Sequence, residues 1–504
     1  TLAACGTREE HEPPSNPYGI RHVVLVSIDT LRADRLGCYG YSVLGRSPSP
    51  HIDELAARGV LFERHLSAAT TTLASHTSLM TGTHPATHGV PRNGFEVADE
   101  NVMLAEILAE AGFYTAGFIG AAPLMSAVRF DQGFRHYDFR YSRAADGSPS
   151  GHQRRADEVT DAALDWLDGT FDGDVDRPLF LFVHYFDVHA PYEAPEPFRG
   201  SFAPEGLPVG MQSDANAPDA WLRARAALRL EGMDGSGADA RLDPGFLAAA
   251  ERELPEAVAF ARALDGEYTA ELAFVDHELG RLFEGLHARG VLDGALVVVT
   301  SDHGETFAEH TQCFSHGESV YDSEAHTPLI VAFPRGELAG TRVARPVSAV
   351  DVLPGVLEAL ELRAPAGVEG RSLLDTLHGD EPQRVVFSEA TKPGGVPEYE
   401  SLPPWINRAK FQAAYDGHHK LVVRAADGLR FLFTPADDPL EQRNLLLAGD
   451  EHMDLAAEAL QRAMDARLDA AQPLPTRPVT QRDQLEALRA LGYVDGAQGG
   501  EQED

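Results

Sequence analysis

Lysine is scarce in this sequence, whose 504 residues include three lysines, Lys392, Lys410 and Lys420, all in the last quarter of the chain. Lysine and arginine together number 42 against 78 aspartates and glutamates, which gives a formal net charge of −36. Proteins that bind nucleic acid through its backbone use Lys and Arg to neutralise the phosphates. The composition therefore argues against a nucleic-acid partner and predicts an acidic surface.

Cysteine and long apolar runs are also lacking. The three cysteines, Cys5, Cys38 and Cys313, are too few and too far apart for a disulfide framework or a cysteine-rich zinc site. No stretch approaches the ~18 consecutive apolar residues that predict a transmembrane helix. The longest strongly apolar runs span residues 23–26, 179–183 and 296–299, and their lengths are typical of buried strands.

The N-terminal residues contain a short targeting-like pattern. Residues 2–6, Leu-Ala-Ala-Cys-Gly, resemble the lipobox at which bacterial lipoprotein signal peptides are cleaved before a lipidated cysteine. A polar stretch rich in Pro and Glu follows over residues 8–17. We therefore predict a tether over residues 1–19, membrane attachment through lipidated Cys5, and a location in the bacterial periplasm or on the cell surface. A disordered N-terminus without a lipid is the alternative.

Strand-like and helix-like patterns alternate along most of the chain. This order is typical of a parallel sheet that is covered by helices on both faces. We predict an α/β fold, with a large, mostly parallel sheet flanked by helices and a smaller C-terminal α+β subdomain. The predicted strands span residues 22–28, 60–63, 114–119, 179–186 and 295–300, and the predicted helices span residues 49–59, 102–111, 160–167, 257–286 and 351–362.

The composition also suggests domain boundaries. Residues 20–340 are predicted as the catalytic α/β domain. Within it, the stretch at about 195–255 is rich in Ala, Gly, Pro and Asp, which predicts an insertion that shapes the substrate entrance. Residues 341–475 are predicted as a C-terminal part with a small antiparallel sheet, and residues 476–504 as a tail. The sheet is predicted from strand-like runs at 411–414, 420–424 and 429–433, followed by a helix over 452–470.

Acidic and histidine residues follow two of the predicted strands. Asp29 comes directly after the first strand, and Asp302 and His303 come just after the strand at 295–300. Because open α/β sheets bind ligands beyond the carboxyl ends of their strands, we expect these side chains to meet. Carboxylate and imidazole ligands suit Zn²⁺ or a similar divalent ion. Each residue alone is as well explained by a capping or core role, but the group predicts a metal site.

Several blocks of the sequence, in this order, resemble a sulfatase-type member of the alkaline phosphatase superfamily. The resemblance covers most of residues 20–450 and implies an α/β hydrolase of charged esters. The blocks are residues 26–40 (VSIDTLRADRLGCYG), 79–89 (LMTGTHPATHG), 301–305 (SDHGE), 327–331 (TPLIV), 347–357 and 370–374 (GRSLL).

Two departures from the sulfatase pattern refine the assignment. Thr72 stands where sulfatases carry the Cys or Ser that is oxidised to formylglycine, and threonine cannot become that aldehyde. The active-site lysines of sulfatases have no counterpart here, since no lysine precedes Lys392. The chain is therefore more similar to the threonine-dependent phosphodiesterases and phosphomutases of the superfamily, in which threonine attacks phosphorus.

The resemblance also implies the ligands of a first metal ion. A hydroxyl is a weak nucleophile at its ordinary pKa, so a coordinated metal must lower that pKa. We expect one or two zinc ions, with manganese or calcium as alternatives. The first ion is expected to bind Asp29, Thr72, Asp302 and His303.

A second metal site is predicted from Asp187, His189 and His316. Two-metal relatives space their Asp and His by four residues, whereas Asp187 and His189 are two apart. The alternative is a single-metal site in which His189 and His316 hydrogen-bond the ester oxygens. His184 and His310 are weaker candidates, with roles behind the ligands or in the core.

Three further residues are candidates for contacts with the substrate. Asn93 lies 21 residues after Thr72, roughly the interval at which phosphodiesterase relatives carry an asparagine that binds a non-bridging oxygen. An ordinary Asn-Gly turn is its alternative. Arg92 and His76 are expected to add positive charge near the phosphoryl group, although a solvated surface role fits Arg92 equally.

The sequence thus predicts a metal-dependent hydrolase of small anionic phosphate esters. Its substrate would be a phosphodiester or a phosphonate or phosphate monoester, cleaved through a phosphothreonine at Thr72. The nearest alternatives are a sulfate-ester hydrolase and an envelope transferase that passes a phosphoryl head group to another molecule. A non-catalytic binding lipoprotein is the alternative from a different class. The sequence makes no prediction about the oligomeric state.

Overall fold

The computed structural model describes residues 16–140, 153–171, 177–203, 255–307, 309–310, 315–379, 384–391 and 409–480. Cys5 with its lipobox-like surroundings, most of the predicted insertion and the residues after 480 lie outside these ranges. The predictions made for those segments therefore stay predictions. Among the described residues, no helix is both long enough and apolar enough to cross a membrane.

A large mixed sheet forms the centre of the molecule. Its strands follow the order β4-β3-β5-β1-β6-β7-β2-β8, with β9 beside β2. Neighbouring strands are parallel except for β7, which runs antiparallel to both β6 and β2. The strands are β1 (His22–Ile28), β2 (Val60–Leu66), β3 (Tyr114–Ile119), β4 (His136–Asp138), β5 (Leu179–Tyr185), β6 (Ala295–Thr300), β7 (His326–Ala332), β8 (Thr341–Val343) and β9 (Val347–Ser348).

A second, smaller sheet is antiparallel throughout. Its four strands follow one another in chain order, so that each is joined to its neighbour in space. They are β10 (Val386–Ala390), β11 (Phe411–Tyr415), β12 (Lys420–Arg424) and β13 (Leu429–Phe433).

Helices cover both faces of the large sheet. One face packs against α2, α4, α8 and α9, and the opposite face against α1, α5 and α6. Side chains alternate between the two cores along β1, since Val23 and Leu25 enter one core while Val24 and Val26 enter the other. The helices are α1 (Pro50–Arg58), α2 (Thr72–Thr81), α3 (Pro85–His88), α4 (Leu104–Glu110), α5 (Ala156–Trp166), α6 (Pro255–Ala288), α7 (Asp322–Ala325), α8 (Val352–Ala359), α9 (Leu373–His378) and α10 (Glu451–Ala470).

This architecture confirms the predicted fold, a large and mostly parallel sheet flanked by helices with a small antiparallel sheet later in the chain. The predicted bounds of β1, β3, β6, β12 and β13 agree with the structure. The second strand runs on to Leu66 instead of ending at residue 63, and the helix predicted over 102–111 is shorter. Strands β8 and β9 extend the large sheet past residue 340, where the sequence suggested a boundary. The domain division itself stays a prediction.

Candidate active site

Three neighbouring strands bring the candidate metal ligands together. Strand β1 lies between β5 and β6, and Ser27 near its end pairs with His184 on β5 and Thr300 on β6. The residues just beyond these positions therefore meet at one edge of the sheet. Asp29 and Asp302 are both fully buried there.

Asp29, Asp302 and His303 form a compact group. One ligand atom from each lies within 4.8 Å of the others. His303 Nε2 is 3.3 Å from Asp302 Oδ2 and 3.8 Å from Asp29 Oδ1. His303 Nδ1 donates a hydrogen bond to the Gly304 carbonyl at 3.0 Å, so Nε2 is the nitrogen that faces the carboxylates. The prediction that these three residues meet is confirmed.

The electrostatics of this group favour a bound cation. Both oxygens of Asp29 and Oδ2 of Asp302 are buried and accept no hydrogen bond from any described residue. Burial, and next the charge of Asp302, raise the pKa of Asp29 well above its usual range, and burial also raises the pKa of Asp302. Buried carboxylates without partners are costly, and a metal ion offsets that cost. The donors, two carboxylates and an imidazole, fit a divalent metal such as zinc.

The turn after β1 holds Asp29 in place. Thr30 has a φ of 54°, a left-handed conformation that is uncommon for a residue with a branched side chain. Its N–H donates to Asp302 Oδ1 at 3.3 Å. The Tyr268 hydroxyl donates to the Thr30 carbonyl at 3.0 Å and accepts from the Arg32 N–H at 3.1 Å. A tyrosine on the long helix α6 thus stabilises the strained turn beside the metal group.

Thr72 is the first residue of helix α2 and is fully buried. One turn along, Ser75 Oγ donates to the Asp302 carbonyl at 2.6 Å, and Ser67 Oγ contacts the same carbonyl. These two hydroxyls connect the start of α2 and the residues before it to the loop after β6. The structure therefore brings the start of α2 against the loop that carries Asp302 and His303.

Asn93 approaches Thr72 from the opposite loop. Its Oδ1 accepts a hydrogen bond from the Leu73 N–H at 2.7 Å, which satisfies one of the free donors at the start of α2. This contact fixes the orientation of the side-chain amide, because only the oxygen can accept. Asn93 Nδ2 then lies 3.5 Å from Thr72 Oγ1. Asn93 therefore lies beside Thr72, and its expected contact with a non-bridging oxygen stays a prediction.

His76 is held inside the protein. Its Nδ1 donates to the Thr72 carbonyl at 2.7 Å, and its Nε2 lies 2.9 Å from Ser27 Oγ and is placed to accept from it. Nδ1 is also 3.7 Å from Asp302 Oδ2. Burial lowers the pKa of His76, which favours the neutral ring. This geometry favours a role in orienting α2 over the charge-bearing role expected from the sequence.

Asp187 faces a different part of the structure from the Asp29 group. The Ala156 N–H at the start of α5 donates to its carboxylate, and Glu271 on α6 is close enough to interact with its charge. Burial raises the pKa of Asp187 to about 7. Within the described ranges, the three-ligand group contains neither Asp187, His189 nor His316. The second metal site stays a prediction, and the contacts of Asp187 do not add to it.

His189 and His316 form a row of rings with His303. The ring centroids of His303 and His316 are 4.5 Å apart, and those of His316 and His189 are 4.9 Å apart. His316 Nδ1 lies 3.3 Å from Glu305 Oε1, and Tyr192 donates to the other oxygen of Glu305. His189 Nδ1 donates to the Ala190 carbonyl at 2.6 Å. His316 therefore lies beside His303, and His189 lies beyond His316.

The weaker histidine candidates lie on either side of this group. His184 Nε2 is 3.5 Å from Asp29 Oδ2, and its ring is 5.0 Å from that of His76. His310 instead stacks on Tyr321 with ring centroids 3.7 Å apart, and it lines a cavity of about 480 Å³ next to the small sheet. The contact of His184 with Asp29 is consistent with the position behind the candidate ligands that was expected for it.

The small sheet also contacts the segment before Thr72, at residues 68–70. The Thr70 N–H donates to the Glu389 carbonyl at 3.1 Å, and the Glu389 N–H donates to the Ala68 carbonyl at 3.0 Å. Arg92 lies in the next loop, where its guanidinium is 5.4 Å from the centre of the Phe95 ring. Strand β10 therefore borders the segment that leads into Thr72.

Several supporting residues escaped the sequence prediction. Ser27 contacts His76, and Ser75 donates to the Asp302 carbonyl. Tyr268 donates to the Thr30 carbonyl in the turn after β1. Ser75 could have been found, since it lies three residues after Thr72, about one helical turn in α2. Tyr268 gives no signal in the sequence, because its partner lies more than 200 residues away.

The chain is similar to known proteins over most of its length. A family model described as Sulfatase matches residues 21–362. An ulvan-active sulfatase of Formosa agariphila is 24% identical over 497 residues, which cover 93% of this chain and 84% of that protein. A multifunctional alkaline phosphatase superfamily protein of Trinickia caryophylli is 24% identical over 422 residues, which cover 72% and 78% of the two chains.

A solved structure gives the same fold. The phosphonate monoester hydrolase of Silicibacter pomeroyi superposes with a TM-score of 0.64 at 23% identity, and the match covers 90% of this chain and 96% of that one. The family match spans the strands and loops that carry Asp29, Thr72 and Asp302. The chain therefore belongs to the sulfatase family of the alkaline phosphatase superfamily and is a hydrolase of sulfuric or phosphoric ester bonds.

Proposed function

We propose that this chain hydrolyses phosphate esters, either a phosphodiester or a phosphonate or phosphate monoester, with Thr72 as its nucleophile. The observation that carries the proposal is the buried Thr72 hydroxyl, 3.5 Å from the Asn93 amide at the start of α2. Threonine carries a methyl group on Cβ, so its oxidation would give a ketone and not the aldehyde of formylglycine. The hydroxyl itself must then attack the ester.

The proposed metal ligands are Asp29, Asp302 and His303, with the Thr72 hydroxyl as the fourth. A bound divalent ion, zinc by the chemistry of these donors, lowers the pKa of a coordinated hydroxyl and withdraws charge from an ester oxygen. The protein supplies the position of Thr72 through Ser75 and the Asp302 carbonyl. It also excludes water from the carboxylates, which are fully buried.

The proposed reaction has two displacements. In the first, Thr72 Oγ1 forms a bond to phosphorus while the bond from phosphorus to the leaving oxygen breaks, and the hydroxyl proton leaves with the alcohol. In the second, water attacks phosphorus, the bond to Oγ1 breaks and Thr72 is regenerated. The Asn93 amide donates to a non-bridging oxygen as its negative charge grows. The N–H groups and dipole at the start of α2 favour the same charge.

Arg92, His189 and His316 are proposed substrate contacts. His316 and His189 extend from the ring of His303 and would face the ester oxygens beside the metal. Arg92 lies next to Asn93 and would add positive charge. The lipobox-like N-terminus supports a bacterial envelope location, in the periplasm or on the cell surface, with attachment through Cys5.

Sulfate-ester hydrolysis is the second candidate. It is favoured by membership of the sulfatase family and by relatives whose names describe sulfatases. Against it stands Thr72 in place of a formylglycine precursor. The two candidates share the metal group and differ in the atom that the nucleophile attacks.

A matched ester panel tests the proposal. Aryl phosphate, phosphodiester, phosphonate and sulfate esters with the same leaving group are offered to the metal-loaded chain, and we expect the phosphorus esters to be turned over at least ten-fold faster than the sulfate ester, a gap of about 1.4 kcal/mol. Thr72→Ala should abolish turnover while the three remaining ligands retain most of the metal. Thr72→Ser should retain part of the activity, because the hydroxyl remains.

Thr71→Ala is the matched control. Thr71 is also buried, and its hydroxyl makes no hydrogen bond to a described residue. We expect it to retain activity. Full turnover by Thr72→Ala would overturn the nucleophile assignment, and a preference for the sulfate ester would overturn the substrate class. Faster turnover on adding an acceptor alcohol would instead indicate a transferase.

A further inference from the structure

A segment late in the chain crosses the loop that carries Asn93. We name Leu474–Val479 the strap and residues 91–96 the Asn93 loop. The Val479 N–H donates to the Gly94 carbonyl, and the Glu96 N–H donates to the Arg477 carbonyl, both at 2.9 Å. These backbone bonds make the strap a partner of the loop on both sides of Phe95.

Side chains add to these backbone contacts. Thr476 Oγ1 donates to the Glu96 carbonyl at 2.7 Å, and Arg477 Nε donates to Glu96 Oε2 at 2.8 Å. Val479 is 3% exposed and packs in the same core as Phe95 and Leu73. Val479 therefore anchors the strap in the core beside the large sheet, while Pro475, Arg477 and Pro478 are exposed.

The backbone of the strap lies so close to Gly89 that no larger residue fits at that position. A Cβ atom at Gly89 would lie 2.1 Å from the Leu474 carbonyl oxygen, and Gly89 also has a φ of 84°. Only glycine allows the strap to lie this near the start of the loop. From another direction, the Thr391 hydroxyl donates to the Pro91 carbonyl. The Asn93 loop is thus held between two segments that come much later in the sequence.

We propose that the strap positions the Asn93 side chain for the transition state. Asn93 reaches Thr72 from a turn whose next residue, Gly94, has a φ of 85° and accepts the hydrogen bond from Val479. Loss of a strap contact would let this turn shift, and a displacement of about 1 Å can cost up to about 10²-fold in rate. Thr476 and Val479 are positioning residues in this scheme. The inference rests on the proposed role of Asn93.

Thr476→Val removes the hydroxyl and keeps the shape of the side chain. With the ester of the panel that the wild-type chain hydrolyses fastest, we expect kcat to fall about fivefold and KM to stay within about twofold, since the affected contact strengthens in the transition state. Thr476→Ser restores the donor and should restore kcat. Val479→Pro removes the N–H that binds Gly94 and should lower kcat further.

A double-mutant cycle with Asn93→Ala separates this inference from the proposed function. Asn93→Ala alone should lower kcat about 10²-fold, the usual effect of losing one oxyanion donor. Adding Thr476→Val to it should cause no further loss, because the strap would act through Asn93. If Asn93→Ala retains full activity, the role proposed for Asn93 is wrong. If Asn93→Ala is impaired and Thr476→Val still lowers kcat by the same factor, the strap acts elsewhere and the inference is wrong.

Thr115→Val is the matched control. Thr115 is buried on β3, outside the Asn93 loop and the strap, and its Oγ1 donates to the Gly133 carbonyl at 2.7 Å and accepts from the Arg135 N–H at 2.9 Å. Thr115→Val removes both of these hydrogen bonds, so it should lower thermal stability at least as much as Thr476→Val does. An equal loss of kcat in Thr115→Val would show a general effect of destabilisation and would overturn the inference.

Discussion

At the scale of single residues, the charge of Asp29 should make the stability of the protein depend on metal binding. The two oxygens of Asp29 are buried and accept no hydrogen bond within the described ranges. Burial, and next the charge of Asp302, raise the pKa of Asp29. Two buried carboxylates repel each other when no cation separates them. The same residue should therefore stabilise the metal-bound protein and destabilise the metal-free one.

Asp29→Asn tests whether Asp29 stabilises the metal-bound protein and destabilises the metal-free protein. In metal-free protein we expect the substitution to raise Tm by a few degrees, because it removes one of two like charges at nearly constant shape and about 1 kcal/mol shifts Tm by about 2–4 °C in a large domain. In the presence of zinc we expect weaker binding and a smaller gain in Tm than the wild-type chain shows. Calorimetry with and without zinc measures both effects.

Glu54→Gln serves as the control for loss of one carboxylate. Glu54 is an exposed residue on α1 that pairs with Arg58. The substitution should leave both melting curves unchanged. An Asp29→Asn protein that is less stable without metal would contradict the electrostatic account.

The ligand residues could be predicted from the sequence because each follows an apolar strand directly. Asp29 and Asp302 occupy the ends of adjacent strands, so strand order alone brings them together. The environment of His76 could not be predicted in this way. Its contacts with Ser27 and with the carbonyl of Thr72 depend on how α2 packs on β1, which no local pattern encodes.

At the scale of elements, the turn after β1 depends on helix α6. The Tyr268 hydroxyl bridges the Thr30 carbonyl and the Arg32 N–H across the strained turn. This turn directs Asp29 towards Asp302, and the Thr30 N–H binds Asp302 itself. A change on α6 should therefore reach the site without touching any substrate.

Tyr268→Phe removes that bridge. We expect a loss of about 1–3 kcal/mol in the free energy of unfolding, since a carbonyl and an N–H stay buried without their partner. We also expect a several-fold loss of kcat, about 1 kcal/mol in activation free energy, because the ligand turn becomes less ordered. Chemical denaturation and steady-state kinetics measure the two quantities.

Tyr185→Phe is the control for this experiment. The Tyr185 hydroxyl is also buried and lies 2.8 Å from Thr160 Oγ1, on the contact between β5 and α5. It should lose similar stability and keep its kcat. A loss of kcat in both variants, or in neither, would contradict a specific role for the Tyr268 bridge.

Strands with apolar runs were mostly predicted, and strands with mixed patterns were harder to find. Strands β1 and β6 are fully buried, and their runs of Val and Leu mark them. Strand β7 carries the run Leu-Ile-Val but was identified only as a block of family resemblance. Strand β10 reads Val-Phe-Ser-Glu-Ala, and its polar residues hide it. Glu389 is tolerated there because it pairs with Arg467 on α10, a contact that the strand's own sequence does not reveal.

At the scale of the whole molecule, a buried ionic cluster joins the two sheets. Lys420 on β12 is fully buried, with Nζ 2.6 Å from Asp322 Oδ1 and 3.0 Å from Glu441 Oε1. Arg64 on β2 lies 2.8 Å from the other oxygen of Asp322. Burial alone would raise the pKa of Asp322, but the charges of Arg64 and Lys420 outweigh burial and hold that pKa well below its usual range.

This cluster gives a stability that depends on pH. Because the pKa of Asp322 is lower in the folded state, its contribution is present above the unfolded value of about 4 and is lost as the pH falls towards the folded value. Lys420→Met should lower the free energy of unfolding by about 3 kcal/mol at pH 7, since it leaves buried carboxylates with fewer partners. The difference from the wild-type chain should shrink as the pH falls below about 4.

Urea unfolding at pH 7 and at about pH 2 measures this difference. Arg58→Met breaks the exposed pair with Glu54 and should change stability by less than about 0.5 kcal/mol at either pH. A Lys420→Met effect that is the same at both pH values would argue against the ionic origin of the stabilisation.

The strap and β10 also determine when the active site can be completed during folding. Thr476 and its partner Glu96 are 380 residues apart in sequence. Glu389 on β10 and its partners in the segment before Thr72, Ala68 and Thr70, are separated by more than 300 residues. Contacts between such distant residues form slowly, and during synthesis the N-terminal parts of a chain fold first. The loops around Thr72 and Asn93 would therefore leave the ribosome long before the segments that hold them. Catalytic competence should appear late in folding, after most of the secondary structure has formed.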